Sequence, residues 1–259
     1  MTKAIFLDID GTLLPFDTHK ISDPSLQAIQ KLRQKGYKVF AATGRPKLLL
    51  DPITDIELDG YITLNGASCY LPDGTELYKD CLAKEDLQCI IEKDEELKIP
   101  FAYIEENSWF INRVDETVER LAKVFDIQIP PIRPLSYSLE TEVFQLMGYF
   151  PYTQDDYIFN EVLPNSESMR WHPEFTDIIA RGNNKAKAME ILCQYFGIDM
   201  KETMAFGDGG NDIEMIKTAG IGIAMGSASE QLKAQADHVT LPVEEEGVVV
   251  AMKYFGLPI

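Results

Sequence analysis

The apolar run Ala4-Ile5-Phe6-Leu7 ends in Asp8-Ile9-Asp10-Gly11-Thr12, and far along the chain Met204-Ala205-Phe206-Gly207 ends in Asp208. The first run reads as a short buried strand, and the second has the same character. Side chains two apart leave a strand on the same face, so Asp8 and Asp10 are expected to project together from its carboxyl end. In open α/β sheets that end is where ligands bind. If the two strands are neighbours, one pocket gathers at least three carboxylates. Such a concentration of negative charge is tolerable around a hard cation with oxygen ligands, and Mg²⁺ is the usual one.

The flanking segments alternate strand with helix. Ser22-Asp23-Pro24 supplies a cap and an early proline, Leu26, Ile29 and Leu32 recur at helical spacing, and Gly36 closes the helix. Tyr37-Lys38-Val39-Phe40-Ala41 is the next strand, followed by Thr43-Gly44-Arg45-Pro46, and Gly60-Tyr61-Ile62-Thr63-Leu64 is another. Asn65-Gly66 and Pro72-Asp73-Gly74 signal turns of neighbouring hairpins. From Asn184 the same rhythm returns: a helix to Phe196, the Asp208 strand, a helix through Met215 and Ile216, then strands at Ile221-Gly222-Ile223-Ala224 and His238-Val239-Thr240.

Between these halves the pattern changes. Helices are predicted over 84–98 and 114–125, with a short one over 155–160. Strands are predicted over 101–105, 109–111, 143–149, 169–171 and 176–179. Strands and helices interleaved this way suit an α+β module with an antiparallel sheet. The expected architecture is a Rossmann-like parallel-sheet α/β core, 1–81 and 181–259, interrupted by an α+β insertion, 82–180.

Composition narrows the function classes. A chain of 259 residues with 45% apolar and 25% charged residues is globular. Its net charge of −18 repels polyanions, which argues against nucleic acid or an anionic membrane as partner. A small phosphorylated substrate would then have to be held by local cations. Cys69, Cys81, Cys89 and Cys193 form no C-x-x-C pair and are too sparse for a disulfide framework, so they read as buried thiols in a reducing compartment. No signal peptide precedes the first strand and no apolar stretch is long enough to span a bilayer, so the expected location is cytoplasmic. No sequence feature sets an oligomeric state.

Phosphate monoesters hydrolyse very slowly unaided, and a covalent phosphoryl-carboxylate intermediate divides the barrier in two. Asp8 is suited to be the nucleophile. Asp10, if protonated at the first step, could give a proton to the leaving alkoxide and later take one from water. Thr43 and Lys185 are candidates for the phosphate oxygens, with Lys185 near a helix start whose unpaired N–H groups also favour anions.

Asp8-Ile9-Asp10-Gly11-Thr12, Thr43-Gly44-Arg45, Lys185 and the segment from Gly207 to Asp212 resemble, in order and spacing, the four motifs of the haloacid dehalogenase superfamily. With Asn65-Gly66-Ala67 they are most similar to its Cof-type phosphatases, subfamily IIB, and the similarity covers essentially the whole chain. The resemblance implies Asp8 as nucleophile, Asp10 as acid/base, and Mg²⁺ held by Asp8, the Asp10 carbonyl and Asp208, with Asp212 in support. It implies a phosphoryl group held by Thr43, Gly44, Arg45 and Lys185, with Asn211 near the substrate or nucleophile. The insertion becomes a cap of the C2B type that selects a small phosphorylated metabolite, with hexose phosphates foremost. Ala186 stands where the family often has glycine after the motif lysine, which makes Lys187 a rival to Lys185.

Other readings stand beside these. Arg45 serves equally as partner of a core carboxylate, and Asn65-Gly66 as an ordinary turn. His19, His172 and His238 lack metal-ligand spacing and read as surface or packing residues. Trp171-His172-Pro173 is either an anchor of the cap sheet or a face for a bound sugar. The acidic run Glu244-Glu245-Glu246 reads as a solvated face before the last helix. A sugar phosphomutase, or a non-catalytic phosphometabolite-binding protein, would carry much of the same pattern.

Overall fold

The computed structural model describes residues 2–54, 56–124 and 127–259, and of Trp171 the backbone only. In chain order the first segment holds β1 (Ala4–Leu7), α1 (Asp23–Gln34), β2 (Lys38–Ala42), β3 (Gly60–Thr63), β4 (Ser68–Tyr70) and β5 (Glu76–Lys79). The middle holds α2 (Lys84–Leu97), β6 (Phe101–Ile104), β7 (Trp109–Ile111), α3 (Glu116–Val124), β8 (Gln145–Gly148), α4 (Asp155–Tyr157), β9 (Ser166–His172) and β10 (Phe175–Ala180). The last segment holds α5 (Lys185–Phe196), β11 (Thr203–Gly207), α6 (Ile213–Thr218), β12 (Ile221–Ala224), α7 (Glu230–Lys233), β13 (His238–Val239) and α8 (Gly247–Tyr254).

Two compact units result. One comprises residues 1–45, 49–79 and 184–259, the other 46–48 and 80–183. In the first unit the strand order is β13-β12-β11-β1-β2-β3-β4-β5. The ladders from β13 to β3 are parallel, and β4 and β5 add antiparallel strands at one edge. The core sheet is therefore parallel with an antiparallel edge, as the Rossmann-like pattern and the hairpin turn signals together require. The tight turns at Asn65-Gly66 and Pro72-Asp73-Gly74 leave no length for the crossover helix that a parallel strand requires.

β1 lies at the centre with every side chain buried. Its pleat sends Ile5 and Leu7 to one face, against Ile29 and Leu32 of α1 and Val248 and Met252 of α8. Ala4 and Phe6 go to the other, against Met189 and Leu192 of α5 and Met215 and Ile216 of α6. This continuous apolar character on both faces is what a parallel sheet covered by two helical layers demands. Alignment of β1 beside β11, with Leu7 level with Phe206, brings their carboxyl ends together.

The second unit is an antiparallel sheet in the order β7-β6-β8-β10-β9. Phe101, Tyr103, Leu146 and Ile178 pack one face against Leu87 and Ile90 of α2, and Ala102, Ile111 and Phe175 meet Val118 and Leu121 of α3 on the other. The expected α+β module is present. Phe125, the last residue of the predicted helix 114–125, lies outside the described residues, as does the Trp171 side chain. α4 runs directly into a π-helical turn, Ile158–Val162, which the sequence does not signal.

None of the four cysteines forms a disulfide. Cys69 and Cys193 are buried and burial pushes both thiols up to about 12, but Cys81 and Cys89 are half-exposed, against the expectation of four buried thiols. His19 is exposed, His172 accepts the Glu174 N–H, and His238 stacks on Tyr254 at 4.5 Å. Among the described residues no helix is long and apolar enough to cross a membrane.

Candidate active site

β1 ends at Leu7, one residue before Asp8, whose N–H still donates to the Phe206 carbonyl at 3.1 Å. The pleat therefore aims Asp8 but not Asp10. A tight turn follows, in which the N–H groups of Thr12, Leu13 and Leu14 all donate to Ile9 O. Gly11 adopts φ +78°, and a Cβ there would stand 2.2 Å from Asp208 Oδ2. Glycine is required both for the left-handed backbone and for the approach of the two acidic loops.

α5 begins at Lys185, capped by the Asn184 side chain, which accepts the Lys187 N–H at 2.9 Å. From that first helical position the Lys185 side chain, fully buried, donates from Nζ to Asp8 Oδ1 and to Asp212 Oδ1, both at 2.6 Å. Asp212 Oδ2 accepts the N–H groups of Asp208 at 3.0 Å and Gly209 at 2.9 Å. Both oxygens of Asp212 are thereby engaged in holding the loop after β11 and the lysine. A Cβ on Gly207 would lie 2.5 Å from the Asp212 side chain, so that loop folds back tightly only with glycine there. Lys187, the rival lysine, has its Nζ 4.9 Å from the centre of the Tyr78 ring.

Asp8, Asp208 and Asp212 each offer an oxygen within 4.8 Å of the others. Burial pushes the Asp8 carboxyl well above its usual range, and the charge of Asp212 adds to the effect against the opposing Lys185. Burial likewise raises Asp208, to about 7, with Asp212 contributing next. Burial alone would lower Lys185, yet the charges of Asp212 and Asp8 outweigh it and the ammonium is held protonated. Three carboxylates against one buried ammonium leave a surplus of negative charge. An all-oxygen donor set with that surplus fits a hard divalent cation.

Asp10 stands apart from this cluster. Arg45 Nε donates to its Oδ2 at 2.7 Å and Arg45 Nη2 to its Oδ1 at 2.6 Å, the bidentate geometry a guanidinium favours. Arg45 thus partners a carboxylate, though the half-exposed Asp10 and not one of the core. Thr43 is buried, and its Oγ1 accepts the Arg45 N–H at 3.0 Å. Asn211 donates from Nδ2 to Asn65 Oδ1 at 2.8 Å. The backbone at Leu64, Asn65 and Gly66 is left-handed throughout, with φ of 53°, 56° and 101°. From sequence alone Asn65 has no role beyond an ordinary turn, although Asn65-Gly66-Ala67 carries part of the family resemblance.

A family model described as haloacid dehalogenase-like hydrolase matches residues 5–252. The solved structure of BT1666 from Bacteroides thetaiotaomicron, a phosphatase of the haloalkanoate (HAD) enzyme superfamily, is 38% identical, with a TM-score of 0.94 over 99% of this chain and 96% of that one. BT4131, described as a HAD subclass IIB sugar phosphatase, is 36% identical, with a TM-score of 0.89 over 99% of this chain and all of that one. YkrA of Bacillus subtilis (strain 168) is 31% identical over 259 residues, spanning 99% of this chain and 98% of its own. With its mixed α/β core, its inserted α+β region and its acidic pocket at the tips of β1 and β11, the chain belongs to the haloacid dehalogenase-like hydrolases, as a subclass IIB-like phosphatase.

Proposed function

We propose that this phosphatase requires Mg²⁺, hydrolyses small phosphorylated metabolites with hexose phosphates foremost, and works through an aspartyl-phosphate on Asp8. One observation carries the reading: the Asp8 carboxylate, at a strand tip beside Asp208, is bridged by the buried Lys185 to Asp212. The 36% identity to a sugar phosphatase over the full chain supports the choice of sugars.

An oxygen of Asp8 attacks phosphorus as the bond to the leaving oxygen breaks, and Asp10 passes a proton to the departing alkoxide. Water then attacks the phosphorus of the acyl phosphate, Asp10 takes its proton, and inorganic phosphate leaves with Asp8 regenerated. Lys185, Thr43 and the Gly44 backbone hold phosphoryl oxygens, and Asn211 borders them. Asp8, Asp208 and the main-chain carbonyl of Asp10 would hold the ion, with Asp212 in support because its own oxygens serve Lys185 and two N–H groups. When bound, the ion supplies charge neutralisation between Asp8 and the phosphoryl oxygens. Arg45 orients Asp10 through its Nε and one Nη2 N–H.

The unit formed mainly by 80–183 is assigned as the cap that selects the leaving group. Four cysteines with no disulfide among them fit a reducing, cytoplasmic setting.

The test is a panel of hexose phosphates, pyridoxal phosphate and flavin mononucleotide, with Mg²⁺ and an EDTA control, followed by release of free phosphate. Hexose phosphates should lead, chelation should stop turnover, and Asp8→Asn should be inactive but folded. An Asp8→Asn variant as active as wild type ends the reading. Isomerisation without phosphate release would move the protein to the phosphomutases.

A further inference from the structure

The turn Leu64–Gly66 meets three separate loops or termini of the site. Its Leu64 and Asn65 N–H groups donate to the carbonyls of Arg45 and Thr43, each at 3.1 Å, which ties it to the loop after β2. A Cβ on Gly66 would lie 2.1 Å from the Asn184 carbonyl oxygen, so the turn also abuts the start of α5 that carries Lys185. The Asn65 side chain, 1% exposed, accepts from Asn211 in the loop after β11. A Cβ on Gly44 would be 3.0 Å from Asn65 Oδ1 and 3.3 Å from its Nδ2, so the amide lies against the backbone between Thr43 and Arg45.

The sheet order makes this contact informative. β3, which delivers Asn65, and β11, which delivers Asn211, stand on opposite sides of β1, with β2 between β1 and β3. Three strand spacings put the β3 and β11 axes roughly 14 Å apart. The Asn65–Asn211 bond therefore joins loops from both flanks of the strand that ends at Asp8. Left-handed φ at two successive non-glycine residues, Leu64 and Asn65, is an unfavourable backbone that persists only when its surroundings over-determine it.

We propose that Asn65 is a positioning residue of the phosphoryl pocket: its side chain holds Asn211 while its backbone N–H holds the Thr43 carbonyl, and the residue so sets the pocket's width around Asp8. The inference rests on the phosphatase reading of Asp8. It assigns Asn65 no contact with substrate.

Asn65→Gly separates the side chain from the backbone, because glycine takes the left-handed conformation without steric cost. Its kcat for a hexose phosphate should fall about tenfold to a hundredfold, the usual cost of losing a group that orients a reacting shell. KM should stay within about threefold, since ground-state binding is not the target. Inhibition by orthovanadate, which mimics the five-coordinate phosphorus, should weaken in step with kcat, while inhibition by inorganic phosphate holds. A merely structural role lowers the melting temperature without that split.

Asn211→Ala should reproduce the loss, and the double variant should lose no more than either single one. Wild-type kcat in Asn65→Gly, or losses that multiply in the double variant, overturns the proposal. If Asn65→Gly does not fold, Asn65→Ala assayed at reduced temperature decides: a lowered kcat at unchanged KM supports the proposal and a wild-type kcat overturns it. Wild-type enzyme that releases no phosphate, or an active Asp8→Asn variant, defeats the phosphatase reading and this inference with it. An Asp8-dependent enzyme indifferent to Asn65→Gly defeats this inference only.

Discussion

Arg45 grips Asp10 with two parallel N–H donors, at 2.7 and 2.6 Å, across a gap of 35 residues in the chain. Each carboxylate oxygen accepts one of these N–H groups and keeps a second lone pair, where a proton bound for a leaving group can sit. Asp10→Asn should lower kcat for a hexose phosphate by about 10²–10⁴, the span of general acid–base contributions. The loss in kcat/KM, which reports transfer to Asp8, should be far smaller with p-nitrophenyl phosphate, whose leaving group departs without a proton. The kcat keeps the cost of losing the base that activates water. Arg45→Ala should show the same dependence on leaving group at lower amplitude. Equal losses on both substrates with a raised KM would instead assign Arg45 to the substrate phosphate.

Asp208 carries a pH prediction. Burial first and Asp212 second raise its carboxyl to about 7, so the metal-free protein binds a proton there that a cation must displace. Apparent Mg²⁺ affinity should weaken as pH falls through about 7, and calorimetry in buffers of different ionisation enthalpy should register proton release. The sign for stability is the reverse of the usual carboxylate case. A folded-state value above the unfolded 3.8 means the native state binds more protons between those values, so stability declines as pH rises across that window. Asp208→Asn should therefore raise the melting temperature in EDTA at neutral pH while abolishing turnover, a site optimised at the expense of stability.

These two aspartates also mark what the chain reveals of itself. Asp8 and Asp208 were legible because apolar runs ending in carboxylates are local patterns, and burial on both faces of β1 follows from its unbroken apolar character. Asp10 was expected to project beside Asp8, and its turn toward Arg45 was not legible. The strand stops at Leu7, and the turn around Gly11 takes over from the pleat. The Arg45 pairing and the Asn65–Asn211 bond depend on which strands lie side by side, and no periodicity encodes strand order. The antiparallel edge was half-written, as turn signals at Asn65-Gly66 and Pro72-Asp73-Gly74, but β5 has too mixed a burial to stand out. Cys81 and Cys89 were misjudged because cysteine's preference for the interior is statistical, and their surroundings are not recorded in the residue type.

Away from the site, Asp59 accepts the Val39 N–H at 3.0 Å, Lys38 Nζ at 2.9 Å and Arg33 Nε at 3.1 Å. Burial would raise its carboxyl, but the Val39 N–H and the two cations outweigh it and hold the group below the ordinary 3.8. A depressed folded-state value gives stability that is present above 3.8 and lost as pH falls through the lower value. Asp59→Asn should cost about 1 kcal/mol at pH 7, after allowing for solvent screening of its half-exposed surroundings. Melting temperatures of variant and wild type should converge below pH 4, and a gap that persists there would separate the loss from ionisation.

Lys185 and Lys187 give the sharpest contrast in the site. Lys185 Nζ is the buried cation between Asp8 and Asp212, whereas Lys187 Nζ lies against the Tyr78 ring. Lys185→Met leaves both carboxylates without their ammonium. Breaking a buried pair from one side costs about 3–5 kcal/mol, so the variant should melt earlier in EDTA and recover part of the loss when Mg²⁺ is added. Its turnover should be close to background, since neither the phosphoryl oxygens nor Asp8 retains its cation. Lys187→Met keeps the Asn184 cap, which uses the backbone N–H, and should stay within about twofold of wild-type kcat/KM, as expected for a residue outside the reacting shell. The two variants, assayed side by side with thermal melts, decide which lysine the Ala186 departure leaves in charge of the phosphate. Loss of turnover in Lys187→Met with a normal Lys185→Met would exchange their roles.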